Sequence, residues 1–253
     1  MTSSAQAPSP DILVRSASLS FGGDLLLDGL DARFPGGRFT CLLGPSGVGK
    51  SSLLRLVAGL IAPGAGGEVL AGDGLPVAGR AAWMGQSDSL MPWLSARGNV
   101  AIGARLRGGD MRASLARADS LLERVGLRGR GADRPAALSG GMRQRVALAR
   151  TLFEDRPFVL MDEPFSSLDA ITRFALQEEA AGLLAGRSVV LVTHDPLEAL
   201  RLGHRVLVMS GRPAALGTPI EPAGQPPRDP ADPRLLALHC ELLRGLARAK
   251  EAA

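Results

Sequence analysis

Eight consecutive residues constrain this chain more than any others: Gly44, Pro45, Ser46, Gly47, Val48, Gly49, Lys50 and Ser51. They follow a short apolar run, Phe39 to Leu43, and open a helical pattern that runs through Ser52 to Leu60. The glycines let backbone N–H groups turn inward, and the first turn of the helix adds its positive dipole end. Together they form a cradle for phosphate oxygens. The only lysines in the chain are Lys50 and Lys250, and arginine carries positive charge almost everywhere else. An interior lysine in such a chain points to chemistry that needs a compact point charge. A plain glycine-rich turn does not explain a lysine at that place.

The rest of the chain alternates strands with helices. Ile12 to Phe21 and Leu25 to Phe34 have strand-like spacing and predict an antiparallel pair joined at Gly22-Gly23. Val69-Leu70 and Ala81 to Met84 read as short strands. From about residue 87 to 153 the pattern is helical, over Arg97 to Leu106, Met111 to Val125 and Gly141 to Phe153. Apolar runs of buried-strand type return at Phe158 to Met161 and Val189 to Val192, followed by helical patterns at Ala170 to Leu184 and Pro196 to Leu202. Arg205 to Met209 is a last strand. The expected class is α/β: a mainly parallel sheet covered by helices, with an antiparallel N-terminal β portion and an inserted helical subdomain. The domain therefore spans about 11–218. Met1 to Pro10 reads as a floppy tail. Pro219 to Pro233 reads as a linker, and Leu235 to Ala249 as an amphipathic helix within the closing segment 219–253.

The loop at Gly44 to Ser51 matches the P-loop pattern in spacing and in strand-to-helix context. That pattern places Lys50 on the β- and γ-phosphates of a nucleotide and the Ser51 hydroxyl on Mg²⁺. The second motif is Phe158 to Glu163, an apolar strand that delivers Asp162 and Glu163 at its C-terminal end. Ligands of α/β folds sit at that end. Asp162 would hold the metal through water, and Glu163 would orient and deprotonate an attacking water. Acidic residues often end strands, so this pair carries weight only in company with the phosphate loop.

The third motif names a family. Leu138, Ser139, Gly140, Gly141 and Met142, continuing to Arg145, resemble the LSGGQ signature of the ABC (ATP-binding cassette) ATPases, with Met142 in the place of the usual glutamine. A Ser/Gly N-cap alone would also suit a helix start, but it would not explain the position, 20 residues before the Asp-Glu strand. The resemblance covers roughly Ile12 to Leu216. It implies that Ser139, Gly140 and Gly141 bind the γ-phosphate of an ATP held by another subunit's P-loop. Gln86 resembles the Q-loop glutamine, which touches Mg²⁺ and water and senses a membrane partner. Ser167 to Asp169 resembles the D-loop, which crosses the dimer interface. His194 resembles the switch histidine of the γ-phosphate. Phe21 stands where the family usually has an adenine-stacking tyrosine. The chain has no tyrosine, and phenylalanine keeps the aromatic face.

The resemblance further implies ATP and Mg²⁺ as ligands, and a head-to-tail dimer with a second copy. It implies transmembrane permease subunits made as separate chains, a solute-binding protein, and a peripheral place on the cytoplasmic face of the inner membrane. The segment Trp83 to Leu94 with Asn99-Val100 resembles ATPases of nitrate/sulfonate/taurine importers. Gly103 to Gly108 resembles those of hydroxymethylpyrimidine importers, which supply a thiamine precursor. Exporter ATPases and non-transport ABC ATPases are the rivals. DNA-repair members separate P-loop and signature by a long coiled coil, whereas Ser139 follows Lys50 by only 89 positions. Translation-factor members carry two cassettes, and one is present here.

Composition agrees. At 253 residues and 45% hydrophobic residues a sizeable core is possible. No run approaches the ~18 apolar residues of a membrane span. Cys41 and Cys240 are too few and too far apart for a disulfide framework. The net charge of +4 is spread over scattered arginines rather than a block, so no nucleic-acid partner is expected. His204 and His239 match no landmark.

Overall fold

The computed structural model describes residues 9–251, with side chains through residue 246. Residues 1–8 of the expected N-terminal tail lie outside that range. Ser9 and Pro10 are tied down: Ser9 N donates to Gly186 O (2.9 Å) and Ser188 Oγ to Pro10 O (2.7 Å).

The chain divides into two compact units. The first holds residues up to 81, 157–162 and 185 onward. In it, β1 (Ile12–Phe21), β2 (Asp24–Phe34) and β4 (Glu68–Ala71) form an antiparallel sheet in the order β2-β1-β4. The expected hairpin forms, with Ile12 opposite Phe34 and Phe21 opposite Asp24. The second sheet of this unit runs β6-β7-β3-β8-β9, where β3 is Phe39–Leu43, β6 Phe158–Asp162, β7 Ser188–Val192, β8 Arg205–Ser210 and β9 Ala215–Leu216. The pairs β6·β7, β7·β3 and β3·β8 are parallel, and the two-residue β9 adds an antiparallel edge. Every residue of β3, β6 and β7 is buried. That is why these strands appear in the sequence as unbroken apolar runs rather than alternating ones.

Helix α1 (Lys50–Val57) packs on β6 and β7. It buries Leu53, Leu54, Leu56 and Val57, a stripe at helical spacing. α7 (Pro196–Leu202) starts at Asp195, whose carboxylate accepts from the N–H groups of Leu197 and Glu198, with Pro196 in the first turn. α8 (Pro233–Glu251) packs on α7. The proline-rich stretch before α8 is organised by Arg228, which is 7% exposed. Its guanidinium donates to the carbonyls of Leu200, Gly203, Pro222, Ala223 and Gly224.

The second unit takes residues 82–156 and 163–184. The strand β5 (Ala81–Met84) marks the passage of the chain into it. Its helices are α2 (Ala96–Val100), α3 (Ile102–Leu106), α4 (Met111–Arg124), α5 (Gly140–Phe153) and α6 (Ala170–Leu183), with a 3₁₀ turn at Pro135–Ala137. α5 is central and packs on both α2 and α4. The single helix expected over Arg97 to Leu106 is two. Ala101, at φ −85° and ψ 5°, both ends α2 and starts α3. Gly98 and Gly103 weaken helix propensity on either side, and Asn99 spends its side chain on a neighbouring loop rather than on the helix.

The α/β class, the mainly parallel sheet and the antiparallel N-terminal portion all stand as the sequence predicts.

Candidate phosphate-binding site

In the first unit, strand register sets the site. Leu42 and Asp162 both lie opposite Val192, one on each side of β7. The C-terminal ends of β3, β6 and β7 are therefore level. Gly44 follows β3, Asp162 ends β6, and His194 follows β7 by two residues. Three sequence-predicted segments are thus brought to one sheet edge, the edge where α/β folds bind ligands.

The loop itself is built around two glycines. Gly44 has φ 154°, and a Cβ there would lie 2.3 Å from Met209 O. Gly49 has φ 111°, and a Cβ would lie 3.1 Å from the Leu26 side chain. Gly49 caps α1 without any side-chain hydrogen bond. The caps of α4, α5, α6 and α7 differ, since each uses an Asp or Ser oxygen. No side-chain oxygen therefore caps the start of α1, and such a helix start suits an anion. Lys50 is buried (7% exposed) and its Nζ donates to Gly44 O and Pro45 O, 2.8 Å each. The loop's own carbonyls thus fix the ammonium inside the loop. Ser46 and Gly47 are exposed, while Pro45, Val48, Ser51 and Ser52 are half-buried.

Phe21 ends β1 and is 53% exposed, unusual for a phenylalanine. Its strand partner is Asp24, two residues before the Leu26 that touches Gly49. Phe21 is thus an exposed aromatic at the turn of the hairpin whose second strand carries Leu26. His194 is exposed, and Asp162 is 2% exposed.

The residues present suit magnesium. Among the described residues no three of His, Cys, Asp and Glu gather to hold a metal. Ser51 and Asp162 offer single hard oxygens. Mg²⁺ accepts such a sparse set because it keeps water and substrate phosphate oxygens as its other ligands.

In the second unit, Ser139 caps α5 and its Oγ accepts from Met142 N (3.3 Å). Ser139 and Gly140 are exposed and Gly141 half-buried, so this helix start faces outward. Asp169 caps α6, accepting from Thr172 N (2.9 Å). That backbone hydrogen bond holds its carboxyl below the usual carboxylate range. Glu163 follows Asp162 with φ +52°, a left-handed conformation that non-glycine residues rarely adopt. Such strain concentrates at functional sites. Gln86 is exposed.

Four residues of this unit have structural tasks that the sequence does not reveal. Asn99 is fully buried. Its Nδ2 donates to the carbonyls of Met91, Leu94 and Ser95, and its Oδ1 accepts from Met91 N (2.7 Å). This staple presents Trp93, 67% exposed. Arg143 Nε donates to Asp88 Oδ2 (2.9 Å), and Arg150 donates to the carbonyls of Asp88 and Ser89. The segment just after Gln86 is thereby strapped to α5. Gln144, the fourth, holds the Glu163–Ser167 loop. A polar residue on a helix carries no local signal of such distant partners.

His204, which matches no landmark, has a structural task. Its Nδ1 accepts from Phe39 N (3.1 Å). Burial lowers its pKa, helped by the charges of Arg38 and Arg228.

Comparisons with known proteins identify the family. The family model described as ABC transporter matches residues 27–166. An uncharacterised ABC transporter ATP-binding protein of Haemophilus influenzae is 42% identical over 239 residues, covering 93% of this chain and 98% of that protein. The aliphatic sulfonates import ATP-binding protein of Pseudomonas syringae pv. syringae is 40% identical over 238 residues, 93% of this chain and 96% of that protein. Among solved structures, a dimeric bacterial ABC transporter cassette superposes with a TM-score of 0.74 at 27% identity, covering 85% of this chain and all of that one. The post-hydrolysis dimer of an ATP-binding cassette with bound ADP and Pi gives 0.73 at the same identity and coverage. The chain belongs to the ABC transporter family as an ATP-binding, ATP-hydrolysing cassette subunit.

Proposed function

We propose that this cassette works as one of two copies that energise uptake of a small sulfonate through separate permease subunits. The observation that carries the cargo is the likeness, at 40 to 42% identity, to importers named for aliphatic sulfonates in Pseudomonas syringae and Nocardia farcinica. The Trp83 to Leu94 stretch adds to it.

Each residue then has a task. The backbone from Gly44 to Gly49 wraps the phosphates, with Pro45, Ser46 and Val48 shaping the loop and Ser52 closing the first turn. Lys50 neutralises charge on the β- and γ-phosphates. Ser51, Asp162 and Gln86 would hold Mg²⁺, which would supply charge stabilisation at the phosphates. Phe21 stacks on adenine. Glu163 takes a proton from the attacking water, and His194 orients that water. The water oxygen bonds to the γ-phosphorus as the bond from the β–γ bridging oxygen to that phosphorus breaks, leaving ADP and phosphate. Ser139, Gly140 and Gly141 grip the ATP of the second copy, and Asp169 sits at the shared interface. The dimeric cassettes it resembles support this pairing. Closure follows ATP binding because the γ-phosphate gives both copies something to hold, and hydrolysis removes it. A cassette doing this beside a permease sits at the cytoplasmic face of the membrane. Among the described residues, no helix is long and apolar enough to cross one.

Growth tests the cargo and the base together. Cells lacking this chain should fail on an aliphatic sulfonate as sole sulfur source and grow normally on sulfate. The wild-type chain should restore growth. Glu163→Gln should not, and the purified variant should bind ATP and accumulate as a closed dimer. Normal growth on the sulfonate, with failure to use a pyrimidine precursor of thiamine instead, would transfer the cargo to the second importer group. Wild-type hydrolysis by Glu163→Gln would remove Glu163 as the base.

A further inference from the structure

Gln144 lies in the second turn of α5, five residues after Ser139, and is 7% exposed. Its amide makes contacts in both directions. Nε2 donates to Glu163 O (3.0 Å) and reaches Ser166 Oγ (3.5 Å). Oε1 accepts from Ser167 N (3.0 Å) and from the Ser167 hydroxyl. The orientation is fixed by chemistry: Glu163 O can only accept and Ser167 N can only donate, so a flipped amide would face like against like. Only a primary amide of this length offers donor and acceptor side by side. Glutamate lacks the donor, and methionine lacks both.

The loop it grips is under tension. Glu163 is held at φ +52°, and its carbonyl also accepts from Ser166 Oγ (3.1 Å). A left-handed glutamate released from these bonds would relax toward ordinary backbone angles and swing its carboxylate. The same amide fixes Ser167, two residues before the Asp169 cap.

We infer that Gln144 is a positioning residue for hydrolysis: it holds the backbone of Glu163 in its left-handed conformation and so aims the carboxylate at the attacking water. This rests on the reading of Glu163 as the base. It also makes α5 a shared part. The helix that begins with the signature residues, offered to the partner's ATP, carries the amide that sets the base for the chain's own ATP.

The test is a set of variants of the full chain, with kcat and KM for ATP, binding of a non-hydrolysable ATP analogue, and thermal melting recorded for each. Gln144→Met removes both contacts at similar length. Gln144→Glu keeps the acceptor toward Ser167 and replaces the donor toward Glu163, so it gives an answer even if the methionine variant folds poorly. Both should lose roughly 10–100-fold in kcat, with KM and analogue affinity within about twofold of wild type. A merely structural role would lower melting temperature and analogue binding together instead. In a Glu163→Gln background, adding Gln144→Met should cost no further single-turnover rate, because the two act through one group. Wild-type kcat in either Gln144 variant overturns the inference, as does a KM that moves with kcat or a full extra loss in the double variant. If those results appear while Glu163→Gln is inactive, the base assignment stands and only the role of Gln144 falls. If Glu163→Gln hydrolyses normally, both fall.

Discussion

Gly44 and Gly49 show how unequal two glycines of one loop can be. Both have backbone angles that disfavour side chains, φ 154° and 111°. Their walls differ. A Cβ on Gly44 would strike the Met209 carbonyl of β8 at 2.3 Å, and a carbonyl in a buried sheet cannot step aside. A Cβ on Gly49 would press the end of Leu26, a side chain with rotamers to spare. Gly44→Ala should therefore cost more stability than Gly49→Ala, by about 1–3 kcal/mol. Urea denaturation of both variants checks the order. Equal midpoints would mean that backbone angle alone, not the Met209 wall, selects glycine at 44. The same contrast explains what could be read from the residue string. A phosphate loop is a local pattern, eight residues long, and its glycines and lysine announce themselves. Gln144 answers to partners 19 and 23 positions away, and no local spacing marks it.

Among the elements, the second half of the loop between β5 and α2 is held by one buried amide. Asn99 satisfies four backbone groups of residues 91–95, and nothing else in that stretch is regular. Asn99→Ala should cost about 1–3 kcal/mol, the range for leaving buried polar groups without partners. Basal ATPase activity should change little, while stimulation by a reconstituted permease should fall, because Trp93 loses its fixed presentation. Chemical denaturation and ATPase assays with and without permease separate the two effects. Stimulation that survives intact would show that Trp93 does not face the partner. The elements legible in advance were those whose burial leaves a strong imprint: β3, β6 and β7 as apolar runs, and β1–β2 with its Gly22-Gly23 turn. The break at Ala101 was not, because Ala101 itself is a good helix former and Gly98 and Gly103 only weaken the helix on either side. Nor was the two-residue β9, too short to carry a period. The proline-rich segment looked like a bare linker because Arg228, which gathers five of its surrounding carbonyls, is one arginine among many.

At the scale of the whole molecule, the residues proposed for the phosphate chemistry fall in different units of the chain. Lys50 and Asp162 belong to the first; Ser139 to Gly141 and Glu163 belong to the second. Two-fold pairing makes economical use of this, since a patch i that meets patch j on the partner is repeated by symmetry as j meeting i. In the proposed pairing each copy would lend its signature to the other's nucleotide. The arrangement makes a prediction about mixtures that no single chain can meet. Lys50→Ala destroys a P-loop, and Ser139→Arg blocks a signature; homodimers of either should be inactive. In a heterodimer, one site carries both lesions and the other carries none. A 1:1 mixture that exchanges subunits freely is half heterodimer, each with one intact site of two. It should therefore recover about a quarter of wild-type ATPase activity. Activity measured against mixing ratio should peak at equal amounts and vanish at either end. A mixture no more active than its parents would mean that Lys50 and Ser139 do not meet across a dimer, and the signature residues would need a different task.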